Sequence, residues 1–222
     1  MRLLFPSVPI RIFNGVVVES EPCSGIADSI REVEERGLPC GVQVRAGRHP
    51  DVEEEAAQLG LTARIPMPGM TVSPDELADA RARGLDIVRV EDEEGLADAA
   101  RVAATGGGAP LEFMRALYAP GVLQLGGFAV YLGSVDGETV TTAMGYQRDM
   151  DVAIFSVATP PEQRRCGYGA AITAHAARAA FENGADLAWL QTSEIGESVY
   201  HRLGFRHVEM HVMLGRPNHQ PS

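Results

Sequence analysis

Apolar positions along the chain alternate between two spacings. Short runs containing β-branched and aromatic residues, such as Val152-Ala153-Ile154-Phe155-Ser156 and Ala188-Trp189-Leu190-Gln191-Thr192-Ser193, read as buried strands. Longer stretches with helical spacing stop at glycine, as 171–181 does before Gly184. Over 85–214 this pattern predicts a strand at 85–90, a helix at 94–103, a glycine-rich loop at 105–110 and a short helix at 111–118. Strands at 128–135 and 138–146 follow, joined across Asp136-Gly137, a strong hairpin signal. A strand at 152–158, the helix at 171–181, a strand at 188–193, a short helix at 196–204 and a closing strand at 205–214 complete the region.

The first part of the chain alternates in the same way. Strands are expected at 12–18, 40–44 and 61–70, the last interrupted by Pro66 and Pro68. Helices are expected at 26–36, ended by Gly37, and at 51–59, ended by Gly60. Glu53-Glu54-Glu55 reads as a solvated face in the first turns of the second helix, where acid suits the dipole. Residues 72–83 predict a connecting helix with Ser73-Pro74 as cap and first turn. The polar tail from Arg216 is expected to fray.

Chemistry concentrates in 157–170, Val-Ala-Thr-Pro-Pro-Glu-Gln-Arg-Arg-Cys-Gly-Tyr-Gly-Ala. A strand runs through a proline turn into a glycine-rich helix start carrying two arginines. Open backbone N–H groups and the positive end of the helix dipole favour an anion there, and arginine adds charge-assisted bonds. Glycine lets a phosphate reach the backbone with no Cβ in the way. The spacing Arg164-x-x-Gly167-x-Gly169 fits neither the dinucleotide fingerprint nor the Walker loop. Further along, a strand leads into a short helix ending Tyr200-His201-Arg202-Leu203-Gly204-Phe205.

The strand, the Arg-x-x-Gly-x-Gly loop and the helix resemble the acyl-CoA pyrophosphate loop of the GNAT superfamily of N-acyltransferases. The Tyr-x-x-Leu-Gly-Phe ending resembles that superfamily's other hallmark. The resemblance covers about 85–214 and is specific at 157–170 and 188–205. It implies an α/β (α+β) fold, with a mixed, mostly antiparallel sheet flanked by helices. It also implies a catalytic N-acetyltransferase domain at 85–214, with 215–222 as a tail. The implied reaction moves an acetyl group from acetyl-CoA, a co-substrate, to a primary amine by direct attack, with no metal.

The same resemblance assigns roles. Arg164, Arg165, Cys166, Gly167, Tyr168, Gly169 and Ala170 are the expected pyrophosphate grip. Val157 and Ala158 should offer a strand edge to the pantetheine amides, and a backbone N–H there could serve the oxyanion. Tyr200 matches the tyrosine that protonates the departing thiolate in many relatives; a phenol with a pKa of about 10 is protonated at neutral pH. Relatives often carry Asn at the end of the strand before that helix. Here Thr192-Ser193-Glu194 stand instead, and Ser193 is the expected cofactor contact. Glu194 and Asp151 are candidates for a base, and His211 for the rim of the acceptor pocket.

Residues 1–84 repeat the order of the C-terminal region. Ala56-Ala57-Gln58-Leu59-Gly60-Leu61 lies over 200–205 without a gap, with alanine where the tyrosine stands. Nothing near Ser20 to Gly25 supplies the arginine-glycine loop. A degenerate GNAT-like half, without CoA binding or catalysis, is therefore expected at 1–84; an unrelated α/β extension is the alternative.

Composition narrows the partners. The 222 residues carry a net charge of −11, and all nineteen basic residues are arginine. Such a chain is a poor non-specific nucleic-acid binder and a better match for a small amine or peptide acceptor. Cys23, Cys40 and Cys166 form no paired spacing, which fits a reducing cytoplasm. No apolar run approaches a membrane span, and the first ten residues form no secretory segment. Arginine-only usage with abundant alanine and glycine is a bacterial, GC-rich signature. A homodimer is compatible with the resemblance. A non-catalytic acyl-CoA-binding regulatory module is the alternative function.

Overall fold

The computed structural model describes residues 2–3, 10–19 and 25–217. Cys23, most of the first ten residues, the stretch 20–24 where a second loop motif was sought, and the tail from 218 lie outside the described residues. In chain order the elements are β1 (Arg2–Leu3), β2 (Gly15–Val17), α1 (Ile26–Glu35), β3 (Gly41–Arg45), α2 (Pro50–Gln58), β4 (Ala63–Val72), β5 (Asp86–Arg89), α3 (Glu93–Gly107), α4 (Leu111–Leu117), β6 (Phe128–Val135), β7 (Glu138–Arg148), β8 (Asp151–Ala158), α5 (Tyr168–Glu182), β9 (Leu187–Gln191), α6 (Glu194–Arg202) and β10 (Arg206–Gly215). Two compact units form: Met1–Gly69 with Val208–Ser222, and Met70–His207. No described helix is long and apolar enough to cross a membrane.

In the first unit β2 runs parallel to β3, and β3 pairs antiparallel with β10, His211 facing Arg45 and Gly215 facing Gly41. Its core gathers Ile26, Ile30 and Val33 of α1, Val42 and Val44 of β3, Val52 and Ala56 of α2, and Leu61. The two aligned helix ends found in the sequence make the same hydrogen bonds. Leu61 N–H donates to Ala56 O at 2.9 Å and Gly60 N–H to Ala57 O at 2.9 Å; Phe205 N–H donates to Tyr200 O at 3.0 Å and Gly204 N–H to His201 O at 3.1 Å. Both glycines have positive φ, and Leu61 and Phe205 are both buried.

The second unit is a mostly antiparallel sheet. β5, β6, β7 and β8 are neighbours in that order, all antiparallel, and β9 then runs parallel to β8. Pleating separates the side chains into two faces. Ala129, Tyr131, Ala143, Val152 and Ile154 share one face and a core with Ile172, Ala176 and Ala180 of α5. Val130, Leu132 and Met144, of the other parity, are buried outside that cluster. They belong to the face covered by α3, which touches the same three strands and contributes nothing to the α5 core.

Three expectations are corrected. Residues 73–85 form no helix. Instead the N–H groups of Glu76 and Leu77 turn back onto Ser73 O, Ala78 N–H donates to Leu203 O at 3.0 Å, and Leu77 and Ala80 pack on the α5 core. Tertiary contacts override helical propensity there. The first half of the expected 105–110 loop is helix: α3, capped by the Asp92 carboxylate on Gly95 N–H at 2.8 Å, runs to Gly107 and stops at left-handed Gly108. The expected strand at 12–18 is a 3-10 turn at Arg11–Phe13 followed by the short β2.

Gly204 ends α6 with φ of 93°, and a Cβ there would stand 2.1 Å from Glu76 O. Gly184 ends α5 with φ of 90° and open space around it. Gly204→Ala is expected to cost about 2–4 kcal/mol and Gly184→Ala about 1–2 kcal/mol in urea unfolding, because only the former adds a backbone clash to the strain. Equal costs would contradict the close approach of 73–78 to the end of α6.

Candidate functional site

β8 and β9 are paired only at Asp151/Leu187, Val152/Ala188 and Ala153/Trp189. Beyond Ala153 the edge of β8 that faces β9 has no registered partner, although β8 continues to Ala158 and β9 to Gln191. The cause lies on the other edge. β8 shifts register against β7 between Thr142 and Met144, and Ser156 takes φ of +52°. A bulge of this kind bends the strand and increases its twist, and so draws it away from its neighbour. Tyr118, at the end of α4, is buried and shares a 2.8 Å hydrogen bond with Ser156 Oγ. Its phenol is raised above its usual pKa, chiefly by burial, with the Ser156 and Thr142 hydroxyls opposing.

The free edge leads into the loop. Thr141 Oγ1 donates to Ala158 O at 2.9 Å and meets Thr159 Oγ1 at 3.0 Å, fixing the strand end. After the 3-10 turn Pro161–Gln163, Arg165 has φ of 67°, and left-handed Gly167 precedes α5. The first backbone bond of α5 runs from Ala171 N–H to Gly167 O, and none of the N–H groups of 165–170 has a backbone acceptor among the described residues. These groups, at a helix N-terminus, form a concave donor set for an anion.

Each expected residue can be located. Arg164, Arg165, Cys166 and Gly167 are exposed in the turn; Tyr168, Gly169 and Ala170 are half-buried in the first turn of α5. Arg164 lies differently from expectation: its guanidinium donates to Thr159 O at 3.2 Å and Gly106 O at 2.8 Å, bracing the loop against the end of α3. Gly106 has no room for a side chain there, since a Cβ would lie 2.9 Å from Thr159 N. Arg165 makes no side-chain hydrogen bond or ion pair among the described residues. Cys166 Sγ approaches Arg164 O at 3.6 Å. Val157 and Ala158 are half-buried at the end of the unpaired edge.

Ser193 caps α6, its hydroxyl accepting from Gly196 N–H at 3.4 Å. Tyr200, one helix face along, is half-buried against the α5 core with its ring edge on Phe205, centroids 5.9 Å apart. Burial raises its phenol above the usual pKa, with the Thr173 hydroxyl opposing. Thr173 Oγ1 donates to Gly169 O at 2.7 Å. Thr173 thereby links Tyr200 to the first turn of α5. Asp151 begins β8, five residues and about 16 Å of strand from Ser156. His211 belongs to the first unit, bonded to Glu209 at 2.6 Å and beside Gln43 at 3.4 Å. Sequence reasoning missed Tyr118, Ser156, Thr141 and Thr173. Only Ser156 left a trace, as the polar residue within the apolar run 152–157.

The Acetyltransferase (GNAT) family model matches residues 99–205. A GCN5-related N-acetyltransferase from Kribbella flavida superposes with a TM-score of 0.68 at 24% identity, over 92% of this chain and 79% of that one. A functionally unknown conserved protein from Staphylococcus epidermidis gives 0.71 at 15% identity, over 97% and 90%. A tandem GNAT protein from the clavulanic acid biosynthesis pathway gives 0.61 at 15%, over 91% and 72%. No curated protein matches. Over residues 99–205 the chain belongs to the GNAT family of acetyltransferases; at these identities the solved structures speak for the fold alone.

Tyr118→Phe removes the hydroxyl that holds Ser156 at the bulge and is expected to cost about 1 kcal/mol near neutral pH. Because burial raises the folded pKa of Tyr118, its native neutral form is favoured fully below the unfolded value of about 10, and that advantage is lost as pH rises beyond it. Wild-type stability should therefore fall above a pH of about 10, and the gap to Tyr118→Phe should narrow. Urea unfolding at the two pH values checks this; a constant gap would contradict it.

Proposed function

We propose that the protein is an acetyl-CoA-dependent N-acetyltransferase acting on a primary amine by direct attack. The observation that carries this reading is the gap between β8 and β9. It is an unpaired strand edge that ends at six N–H groups with no backbone acceptor among the described residues, and the helix after β9 carries the half-buried phenol of Tyr200. A pantetheine arm has amides suited to a strand edge, and a pyrophosphate has the charge suited to the loop. The N–H groups of residues 165–170 bind the pyrophosphate, with Arg165 free to add its charge and Arg164 keeping the loop in shape. Val157 and Ala158 hold the arm, and an N–H at the Ser156 bulge donates to the developing oxyanion. Gly167 and Gly169 keep side chains out of the phosphate's way, while Cys166, Tyr168, Ala170 and Ser193 complete the contact surface.

Tyr200 gives its proton to the leaving thiolate. The raised pKa keeps that proton available through the neutral and mildly alkaline range. A second reading draws on the same residue. The Tyr200 hydroxyl is already engaged by Thr173, as it would be in a non-catalytic acyl-CoA sensor that never calls on it.

Residues 1–84 are read as a GNAT-like half that has lost the loop arginines and the tyrosine. The matched hydrogen bonds at Leu61 and Phe205, the parallel pairs β2/β3 and β8/β9, and the likeness to a tandem GNAT protein support this.

Two measurements test the function. Arg164→Ala is expected to weaken CoA binding by about 1.5–3 kcal/mol in isothermal titration, and pantetheine to bind worse than CoA. Equal affinity for CoA and pantetheine would remove the pyrophosphate reading. Tyr200→Phe is expected to lower acetyl-CoA-dependent thiol release by about 10²–10⁴-fold with CoA affinity retained. Wild-type turnover in that variant would leave the thiolate to depart unassisted, whereas CoA binding with no thiol release from the unaltered protein with any amine favours the sensor.

A further inference from the structure

The sheet face that carries α3 is not covered over its whole length. Directly opposed residues in neighbouring strands share a face, and the registers give one row as Phe128, Tyr146, Ala153 and Trp189, and the next as Val130, Met144 and Phe155. Val130 and Met144 are buried. The aromatic members are not: Phe155 is 37% exposed, Trp189 is 42% exposed, and Phe128 and Tyr146 are half-buried. Three of the rings touch through Phe128. Phe128 lies 4.6 Å from Tyr146 and 6.0 Å, edge-on, from Phe155. Phe128 also lines an open pocket of about 190 Å³ with Val90, Val122, Leu123 and Val130, and with the charged Arg89 and Glu91.

The position of these rings matters more than their number. Ala153/Trp189 is the last registered pair before β8 and β9 part. Trp189 and Phe155 therefore stand on the two strands that flank the closed end of the gap, on the face away from α5. The pyrophosphate loop lies at the other end of β8. A thioester held along the unpaired edge would meet an acceptor arriving from this aromatic end, about 10 Å of strand from Ser156. A solvent-exposed tryptophan and phenylalanine cost free energy unless something covers them.

We propose that this surface is the acceptor subsite, and that it takes a primary amine carried on an aromatic or flat apolar body. The ring of the acceptor stacks between Phe155 and Trp189, and the amine reaches toward the Ser156 bulge. Offset stacking on two rings suits a planar ligand, and the subsite offers little to a polar chain. This rests on the acetyltransfer reading for its chemistry, but the binding surface can be tested without it.

Trp189 is the sole tryptophan, so its emission reports the subsite directly. The protein is titrated with 2-phenylethylamine and, separately, with spermidine, and thiol release from acetyl-CoA is followed with each. The expected result is a saturable change in Trp189 emission and turnover with phenylethylamine, and neither with spermidine. Phe155→Ala is expected to raise KM for phenylethylamine at least about tenfold with a smaller change in kcat, and Trp189→Phe, which keeps a ring, to stay within about threefold of wild type. Melting curves check that both variants fold. Acetylation of spermidine with unchanged Trp189 emission, and none of phenylethylamine, would overturn the proposal while leaving the acetyltransfer reading intact. A saturable emission change with no thiol release from any amine would support the subsite and remove the acetyltransfer reading. If sedimentation velocity finds a dimer that Phe155→Ala dissociates, the surface is an interface between copies and the proposal falls.

Discussion

The unit that carries the chemistry depends on one interrupted hydrogen-bond ladder. A strand edge inside a sheet ordinarily has its N–H and C=O groups paired, and leaving them open costs free energy. Here β8 gives up its pairing with β9 after Ala153 because a bulge at Ser156 bends it. The Tyr118 hydroxyl on Ser156 and the Thr141 hydroxyl on Ala158 O hold the bent shape. The open donors are then available for a ligand shaped like a strand.

Both walls of that gap are tied to the same helix. α5 begins where the loop N–H groups end, and Thr173 on its second turn connects Gly169 O to the Tyr200 hydroxyl. Arg164 fastens the outer side of the loop to the end of α3, where Gly106 lets helix and strand meet closely. An anion site, a strand edge and a phenol are thus positioned by bonds among themselves.

Much of this was legible in the sequence. The strand–loop–helix at 152–182 and the Leu203-Gly204-Phe205 stop are local patterns, written in residues adjacent in the chain, and they appear where the spacing predicts. What was not legible is non-local. Tyr118 meets Ser156 across 38 positions, and nothing near either residue marks the partner. Residues 73–83 have helical spacing but form a turn at Ser73 and then tie Ala78 N–H to Leu203 O, a contact from the far end of the unit. The role of Arg164 was half legible: a cation in the loop was evident, but its bonds to Thr159 O and Gly106 O depend on where α3 ends. The exposed rings of Phe155 and Trp189 read as core residues, because the alternation shows which face a side chain takes and not whether that face is covered.

The central claim is that the open edge of β8 and the open N–H groups of the loop form one ligand-binding track. Hydrogen–deuterium exchange with and without CoA tests it directly, because the loop amides 165–170 lack backbone acceptors among the described residues. The account predicts that CoA slows exchange at residues 165–170 and at Val157 and Ala158, with the amides of β3 and α2 unchanged. Unchanged exchange at 157–170 in the presence of saturating CoA would contradict it.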